Sequence, residues 1–196
     1  MSLRVIGGEY RGRVLTTVRG FGTRPLLGQV REAVFNVLGQ RLDDMVVWDL
    51  FAGTGANGIE SLSRGARRVW FLDKANQALQ VLGRNLQALG EDATRRSVVL
   101  KADAWDPPAL VPDGMSEEVA PDIVFLDPPY PLVAEDPVRA AYRAQRLVQR
   151  LAPGGVLCFH FRDGQLDVDD FDAGLDVDLR VWGTTAFAFV RVRDGD

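Results

Sequence analysis

The residues with the most specific chemistry in this sequence are Asp127-Pro-Pro-Tyr130, which directly follow the apolar run 123–126. Two consecutive prolines fix their own φ angles and force the preceding residue into an extended conformation, so they predict a stiff turn. The Asp127 carboxylate and the Pro128 carbonyl could each accept a hydrogen bond from one planar amino group, while the Tyr130 ring stacks on the base that carries it. Such an amine needs alignment more than deprotonation. The pattern therefore favours chemistry at an exocyclic amino nitrogen.

A second Asp-Pro-Pro sequence, Asp106-Pro-Pro108, provides an internal comparison. It is followed by Ala109 instead of an aromatic residue, and it lies in a proline-rich stretch instead of ending an apolar strand. We therefore assign it to a loop. The alternative for the turn at Asp127, a polyproline turn that only ends a strand, is less favoured because a glycine turn lies upstream in the same predicted sheet.

This glycine-rich turn, Gly53-Thr-Gly55-Ala-Asn-Gly58, follows the first long apolar run. Glycines allow a sharp turn and let a ligand approach where a Cβ atom would collide. In parallel sheets, ligands bind at the carboxyl ends of the strands, where this turn is predicted to lie. Asp73 ends the next predicted strand, 20 residues after Gly53, and its carboxylate can accept hydrogen bonds from ribose hydroxyls. The pattern therefore predicts a ligand that contains a nucleoside.

Asp49, four residues before the first glycine, discriminates between two such ligands. A dinucleotide would place its pyrophosphate over the turn, where the carboxylate would repel it. The sulfonium and ammonium groups of S-adenosylmethionine make an acid favourable there instead. A helix N-cap is the alternative role for Asp49, but the helix is predicted to begin several residues later. Asp103, after the third predicted strand, could accept from an adenine amino group; its alternative is a simple turn aspartate.

The elements that must position these residues alternate between apolar runs and amphipathic helices. Strands are predicted at 45–50, 68–73, 97–102, 122–126, 155–161, 175–182 and 185–192, and helices at 29–42, 57–64, 75–89 and 137–151. This alternation predicts an α/β fold with a mostly parallel sheet, to which the last two strands add an antiparallel hairpin at the edge. A small β-hairpin is predicted near the start of the chain, and a surface loop at 105–121. We divide the chain into an extension, 1–42, and a main domain, 43–196.

Composition limits the class of protein. No apolar run approaches the roughly 20 residues that cross a bilayer, and no signal-peptide pattern is found, so we expect a cytoplasmic protein without a membrane span. The single cysteine, Cys158, excludes an internal disulfide and a thiolate zinc cluster; we interpret it as an apolar core residue and expect no metal. The single histidine, His160, lies in an apolar strand and is interpreted as structural.

Charge is divided unevenly along the chain. Residues 1–41 contain seven arginines and two glutamates, a net charge of +5, whereas the remainder carries −9. Because counterion release rewards clustered positive charge, a basic arm on an acidic body favours a phosphate-binding surface. A basic arm that is merely solvated is the alternative.

Four segments of the chain share their pattern with one known family. They are 4–13 (RVIGGEYRGR), Arg24-Pro25 with 30–38 (VREAVFNVL), 49–66 (DLFAGTGANGIESLSRGA) and the turn Asp127-Pro-Pro-Tyr130. With these segments the chain resembles the bacterial small-subunit ribosomal RNA guanine-N2 methyltransferases over almost its whole length. These are class I methyltransferases with a D-P-P-[YF] motif.

This resemblance implies a class I methyltransferase fold, Rossmann-like with a seven-stranded sheet, and S-adenosylmethionine as the cofactor. It implies a guanine in small-subunit ribosomal RNA as substrate, within a partly assembled 30S particle. We assign cofactor binding to Asp49, Phe51, Gly53, Gly55, Asp73, Lys74, Asp103 and Ala104. We assign the catalytic turn to Asp127, Pro128, Pro129 and Tyr130, and RNA contact to Arg11, Arg24 and Arg31.

Three other functions are compatible with parts of the pattern. The same chemistry could act on DNA adenine, another RNA or a protein amide, although a small chain fits an exposed base of a structured RNA better than a base in duplex DNA. A catalytically silent RNA-binding assembly factor would retain the fold, but the complete glycine and catalytic turns argue against it. A nicotinamide oxidoreductase is disfavoured by the carboxylate of Asp49.

Overall fold

The apolar runs of the sequence form one central sheet with helices on both faces. The computed structural model describes residues 3–18, 28–111 and 119–193. The strands are β1 (Leu3–Arg4), β2 (Val14–Leu15), β3 (Val46–Leu50), β4 (Arg68–Asp73), β5 (Ser97–Lys101), β6 (Ile123–Leu126), β7 (Val156–Arg162), β8 (Leu175–Trp182) and β9 (Thr185–Val192). The helices are α1 (Gly28–Leu38), α2 (Ala56–Ser63), α3 (Asn76–Leu89), α4 (Glu91–Arg95), α5 (Tyr130–Glu135) and α6 (Pro137–Val148), with a 3₁₀ turn at Val168–Asp170.

The main sheet has seven strands in the order β5-β4-β3-β6-β7-β9-β8. The first five of these are parallel, and β9 pairs antiparallel with both β7 and β8. The predicted mostly parallel α/β sheet is therefore confirmed, but only β8 of the closing hairpin lies at the sheet edge. The chain leaves β3 toward β4 on one side and reaches β6 on the other side. This reversal creates the crevice in which open α/β sheets bind ligands.

Two hydrophobic clusters cover the two faces of the sheet. One contains Phe35, Leu62 and Phe71 together with Leu3 and Tyr10 of the N-terminal segment. The hairpin of β1 and β2 and helix α1 thus share a core with the sheet, and the boundary between residues 42 and 43 stays a prediction.

The second cluster corrects the predicted surface loop. Ala104 and Leu110 are fully buried in it, next to Trp48 and Phe159. The first part of the 105–121 segment therefore packs on the sheet, because it carries apolar side chains between its prolines. Cys158 is buried in the first cluster, as interpreted from the sequence.

Among the described residues, no helix is long and apolar enough to cross a membrane.

Candidate active site

Both turns predicted to do chemistry lie at the carboxyl edge of the sheet, on either side of the point where strand order reverses. β3 and β6 are in parallel register, with Leu50 opposite Leu126. The Asp127 amide donates to the Leu50 carbonyl at 3.2 Å, so the catalytic turn begins directly beside the end of β3. On the other side, the Ala52 amide donates to the Leu72 carbonyl at 3.0 Å. The structure therefore brings the glycine turn and the Asp127 turn together in one crevice.

The glycines of the first turn are required by its backbone and by its packing. Gly53 and Gly55 have φ angles of 54° and 87°, in the left-handed region that favours glycine. A Cβ atom on Gly58 would lie 2.2 Å from the Phe71 ring and 2.9 Å from Oδ2 of Asp49. The close approach of helix α2 to β3 and β4 therefore depends on the absence of a side chain at Gly58.

Phe51 adopts a left-handed conformation without being a glycine, with a φ of 60°. This conformation costs about 1 kcal/mol or more for a residue with a Cβ atom. Its ring packs edge-on against Trp105 at a centroid distance of 5.2 Å. Strained residues of this kind concentrate at binding sites, and Phe51 stands among the residues predicted to hold the cofactor.

Asp49 is a buried carboxylate in the crevice. It is 1% exposed, and its Oδ2 accepts the Gly58 amide at 2.8 Å, so it also holds the first turn of α2. Burial raises the pKa of Asp49 well above its ordinary value; the Gly58 hydrogen bond lowers it, and the charges of Asp127 and Asp73 raise it further. Burial disfavours the ionised form of Asp49 when no positive charge is near, so a cationic ligand would relieve this cost and a pyrophosphate would add to it, which fits the sulfonium and ammonium groups of S-adenosylmethionine.

Replacing Asp49 by asparagine is expected to separate stability from ligand binding. Because folding raises this pKa, the stabilisation from the bound proton is complete below the ordinary pKa of an aspartate and is lost as the pH rises through the raised value. Without ligand, Asp49→Asn should therefore raise Tm at pH 7, by about 2–4 °C for each kcal/mol gained in the free energy of unfolding. Its affinity for S-adenosylmethionine should fall at least tenfold, or about 1.4 kcal/mol.

Thermal unfolding without ligand across a pH series and calorimetric titration with S-adenosylmethionine measure the two effects. Asp176→Asn, at an exposed carboxylate of β8, is the control and should change neither quantity. Undiminished cofactor affinity in Asp49→Asn would show that this carboxylate does not face the cationic groups.

Asp73 organises the glycine turn from the end of β4. Its Oδ2 accepts the Gly53 amide and its Oδ1 accepts the Ala75 amide, both at 2.8 Å. Each carboxylate oxygen has a second lone pair that remains able to accept a ribose hydroxyl. Asp73 is partly exposed at the carboxyl edge of the sheet, so a ribose hydroxyl could reach it, as its predicted role requires.

Lys74 and Asp103 are brought together by neighbouring strand ends. The Lys74 Nζ lies 3.0 Å from Asp103 Oδ2, and the Trp105 amide donates to Oδ1 at 3.0 Å. Partial burial acts to raise the pKa of Asp103, but the hydrogen bonds from Lys74 and from the Trp105 amide outweigh it and lower the pKa. Asp103 is thus an ionised acceptor beside the crevice. Ala104, the next residue along the chain, is buried.

The turn at Asp127, which is predicted to be stiff, is partly open to solvent. Pro128 is buried, and Pro129 stands directly before helix α5, which begins at Tyr130. The Asp127 side chain is 31% exposed, so a substrate can reach it. The predicted rigidity of the turn is thus accompanied by a helix start, which the sequence analysis did not predict.

His160 is a residue of this site that sequence reasoning missed. It is buried in β7 as expected, but its Nδ1 lies 2.5 Å from Asp127 Oδ1 and its Nε2 lies 2.9 Å from Tyr130 Oη. The Tyr130 hydroxyl also lies 3.3 Å from Thr185 Oγ1. A signal was present, since the only histidine lies on the strand that neighbours β6.

The prediction that three arginines face RNA has a different outcome for each of them. Arg11 is exposed on the N-terminal hairpin, and Arg24 lies outside the described residues. The assignment of Arg31 to an RNA-facing surface is wrong in this structure, because its side chain is only 2% exposed. Its guanidinium points inward and donates from Nη2 to the Arg4 carbonyl.

The partner of Arg31 is Glu60, a second buried residue that the sequence analysis missed. Glu60 is 0% exposed and accepts the amides of Ile6 and Gly7, both at 2.8 Å. Its carboxylate also lies 2.8 Å from Arg64 Nη2 and 3.7 Å from Arg31 Nε. The network of Arg31, Glu60 and Arg64 therefore fastens the N-terminal hairpin to helices α1 and α2.

Within the described ranges, no group of three or more histidine, cysteine, aspartate or glutamate side chains is placed to hold a metal ion.

Comparison with known proteins agrees with the fold. An Escherichia coli structure provisionally named as the methyltransferase YhhF superposes with a TM-score of 0.76, with 24% identity and 100% coverage of both chains. A Haemophilus influenzae structure, HI0767, provisionally named as a methylase, has a TM-score of 0.72, 24% identity and coverage of 98% and 99%. The fold is that of the class I methyltransferases.

A family model described as conserved hypothetical protein 95 matches residues 3–190. The chain belongs to this family. It is 38% identical over 128 residues to a Bacillus subtilis protein provisionally named as the rRNA methyltransferase YlbH, covering 65% of this chain and 67% of that protein. It is 35% identical over 130 residues to ribosomal RNA small subunit methyltransferase D of Haemophilus influenzae, covering 65% and 64%. The chain thus spans about two thirds of the length of these relatives.

Proposed function

We propose that this protein transfers a methyl group from S-adenosylmethionine to the exocyclic N2 amino group of a guanine in small-subunit ribosomal RNA. The observation that carries the proposal is the meeting of the two turns beside the end of β3. Asp49 and the glycine turn lie on one side of it, and Asp127 begins on the other side, hydrogen-bonded to the Leu50 carbonyl at 3.2 Å. An amine bound at Asp127 would then face the methyl group of a cofactor bound at the glycine turn.

The cofactor supplies an electrophilic methyl group on a sulfonium when it is bound. Asp49 provides negative charge for its cationic end, and Asp73 and Asp103 provide acceptors for its ribose and its adenine. Asp127 and the Pro128 carbonyl each accept a hydrogen bond from the substrate amine and so orient the nitrogen lone pair. Asp127 takes up the proton that the nitrogen loses after transfer, and a buried general base is not required.

Small-subunit ribosomal RNA is proposed as the substrate because the curated relatives carry that activity in their names. The exposed hairpin supplies a basic surface, which Glu60 and Arg64 hold in place on the body of the protein. We further propose a partly assembled 30S particle in the cytoplasm as the form in which the RNA is bound. Guanine N2 is an exocyclic amine of the kind that the Asp127 turn can orient.

The test is methyl transfer from labelled S-adenosylmethionine to unmodified small-subunit particles and to the naked RNA, followed by digestion to nucleosides. Label in N2-methylguanosine is expected. Label in another nucleoside, in DNA adenine or in a protein amide would support methyl transfer to an amino group but contradict the proposed substrate. Binding of S-adenosylmethionine without any transfer would favour a silent assembly factor.

Arg11 and Arg31 are expected to respond differently to alanine substitution. Arg11→Ala should weaken RNA binding by about 3- to 10-fold and reduce the slope of log K against log salt by about 1, because one phosphate contact is lost. Arg31→Ala should instead lower the free energy of unfolding, because it removes a buried partner of Glu60.

Filter binding across a salt series, with denaturant unfolding of each variant, separates these effects. Arg180→Ala on edge strand β8, which removes an exposed arginine paired with Asp178, is the control. If the slope of log K against log salt is unchanged in Arg11→Ala, the tip of the hairpin does not belong to the RNA-binding surface.

A further inference from the structure

We infer that His160 is a positioning residue for methyl transfer, which holds the Asp127 carboxylate and the Tyr130 ring in the geometry that receives the substrate amine. The inference deepens the proposed function and rests on it. It assigns a role in the reaction to a residue of β7, outside the two turns.

The contacts of His160 join the two halves of the catalytic turn. Its Nδ1 lies 2.5 Å from Asp127 Oδ1, and its Nε2 lies 2.9 Å from Tyr130 Oη. The Asp127 rotamer is therefore fixed through one oxygen, which leaves Oδ2 for the amine. The Tyr130 ring is fixed at its hydroxyl end, so its face is held beside the turn.

The contact with Asp127 places a proton on Nδ1 of the imidazole. A carboxylate only accepts hydrogen bonds, so Nδ1 carries a proton and donates a hydrogen bond to Asp127. In neutral imidazole, Nε2 is then an acceptor and receives a hydrogen bond from the Tyr130 hydroxyl. The Tyr130 oxygen in turn accepts from Thr185 Oγ1 at 3.3 Å. Every donor in this chain of contacts has an acceptor when His160 is the neutral Nδ1–H tautomer.

The surroundings of His160 restrict its movement. Its ring is stacked on Phe187 of β9, with a centroid distance of 4.7 Å and an interplanar angle of 12°. A second contact fixes the same turn from just beyond β7, because Gln165 Nε2 donates to the Tyr130 carbonyl at 2.9 Å while its Oε1 accepts the Arg162 amide at 2.8 Å. The antiparallel end of the sheet therefore carries the positioning contacts of the catalytic turn.

Two substitutions with side chains of the same branched shape separate positioning from packing. His160→Asn keeps an N–H group near the place of Nδ1, whereas His160→Leu fills similar space without a donor. We expect His160→Leu to lower kcat about 30- to 100-fold, in line with the cost of displacing a reacting group by about 1 Å. We expect His160→Asn to restore kcat to within about 5-fold of wild type. The affinity for S-adenosylhomocysteine should be unchanged in both.

A measurement on the unaltered protein covers the case in which a variant does not fold. His160 is the only histidine, so ¹⁵N-histidine labelling gives the NMR signal of a single imidazole. We expect the signature of the neutral Nδ1–H tautomer at neutral pH, and a change of that signature in Asp127→Ala.

Equal kcat in His160→Asn and His160→Leu, or an Nε2–H tautomer in the wild type, would overturn the inference. Absence of methyl transfer by wild type to any RNA would overturn the proposed function instead, and the tautomer would still report whether the contact to Asp127 exists.

Discussion

Asp127→Ala is expected to lower kcat for RNA methylation by about 10²- to 10³-fold. The substitution removes the acceptor that orients the substrate amine, and preorganised hydrogen-bond partners at a reacting centre have effects of this size. The affinity for S-adenosylhomocysteine should stay within about 2-fold, because the glycine turn and Asp49 are retained. Single-turnover methylation with labelled S-adenosylmethionine and calorimetric titration of S-adenosylhomocysteine measure the two quantities.

The chain offers a matched control in Asp106, an exposed aspartate that also precedes two prolines. Asp106→Ala should leave kcat unchanged. If Asp127→Ala retains more than about a tenth of wild-type kcat with a folded protein, the turn does not orient the reacting nitrogen.

The second large effect is expected for stability. Glu60→Ala should lower the free energy of unfolding by about 3–5 kcal/mol, because it leaves the guanidinium groups of Arg31 and Arg64 buried without their carboxylate. It also removes the acceptor of the Ile6 and Gly7 amides, so the N-terminal hairpin should detach before the sheet unfolds. Urea denaturation gives the first quantity, and hydrogen exchange of residues 3–15 gives the second.

Asp178→Ala is the control for this prediction, because Asp178 forms an ion pair with Arg180 in which both side chains are more than 40% exposed. Exposed pairs contribute little, so a change below about 1 kcal/mol is expected. A similarly small change for Glu60→Ala would mean that the hairpin is held by its apolar contacts alone.

The sheet and the two turns could be predicted from sequence because their signals are local. Strands β4, β8 and β9 begin and end at the predicted residues, since each apolar run is bounded by polar or glycine residues. The short helices α4 and α5 were not predicted, because five or six residues are too few for a helical period to be recognised. The interior place of β9 also was not predicted, since strand order depends on contacts between distant segments.

Contacts between distant segments also explain why two residues of the site and its surroundings were not predicted. His160 and Glu60 act through partners 33 and 53 residues away in the chain. Apart from His160 being the single histidine, their neighbouring sequence is that of ordinary core and helix residues. The misassignment of Arg31 has a related cause. A basic residue on a helix is normally exposed, but the buried Glu60 on α2 and the Arg4 carbonyl draw the Arg31 side chain inward.

The position of β9 has a consequence for the newly made protein. Along the chain, β9 follows β8, but in space it lies between β7 and β8 and pairs with both. A nascent chain still held by a translating ribosome therefore leaves β8 without its partner until residues 185–192 have emerged. Until then Thr185 and Phe187 are absent from the Tyr130 and His160 contacts. Synthesis through β9 is thus needed to complete these contacts, and we expect chains that end before β9 to lack methyl transfer.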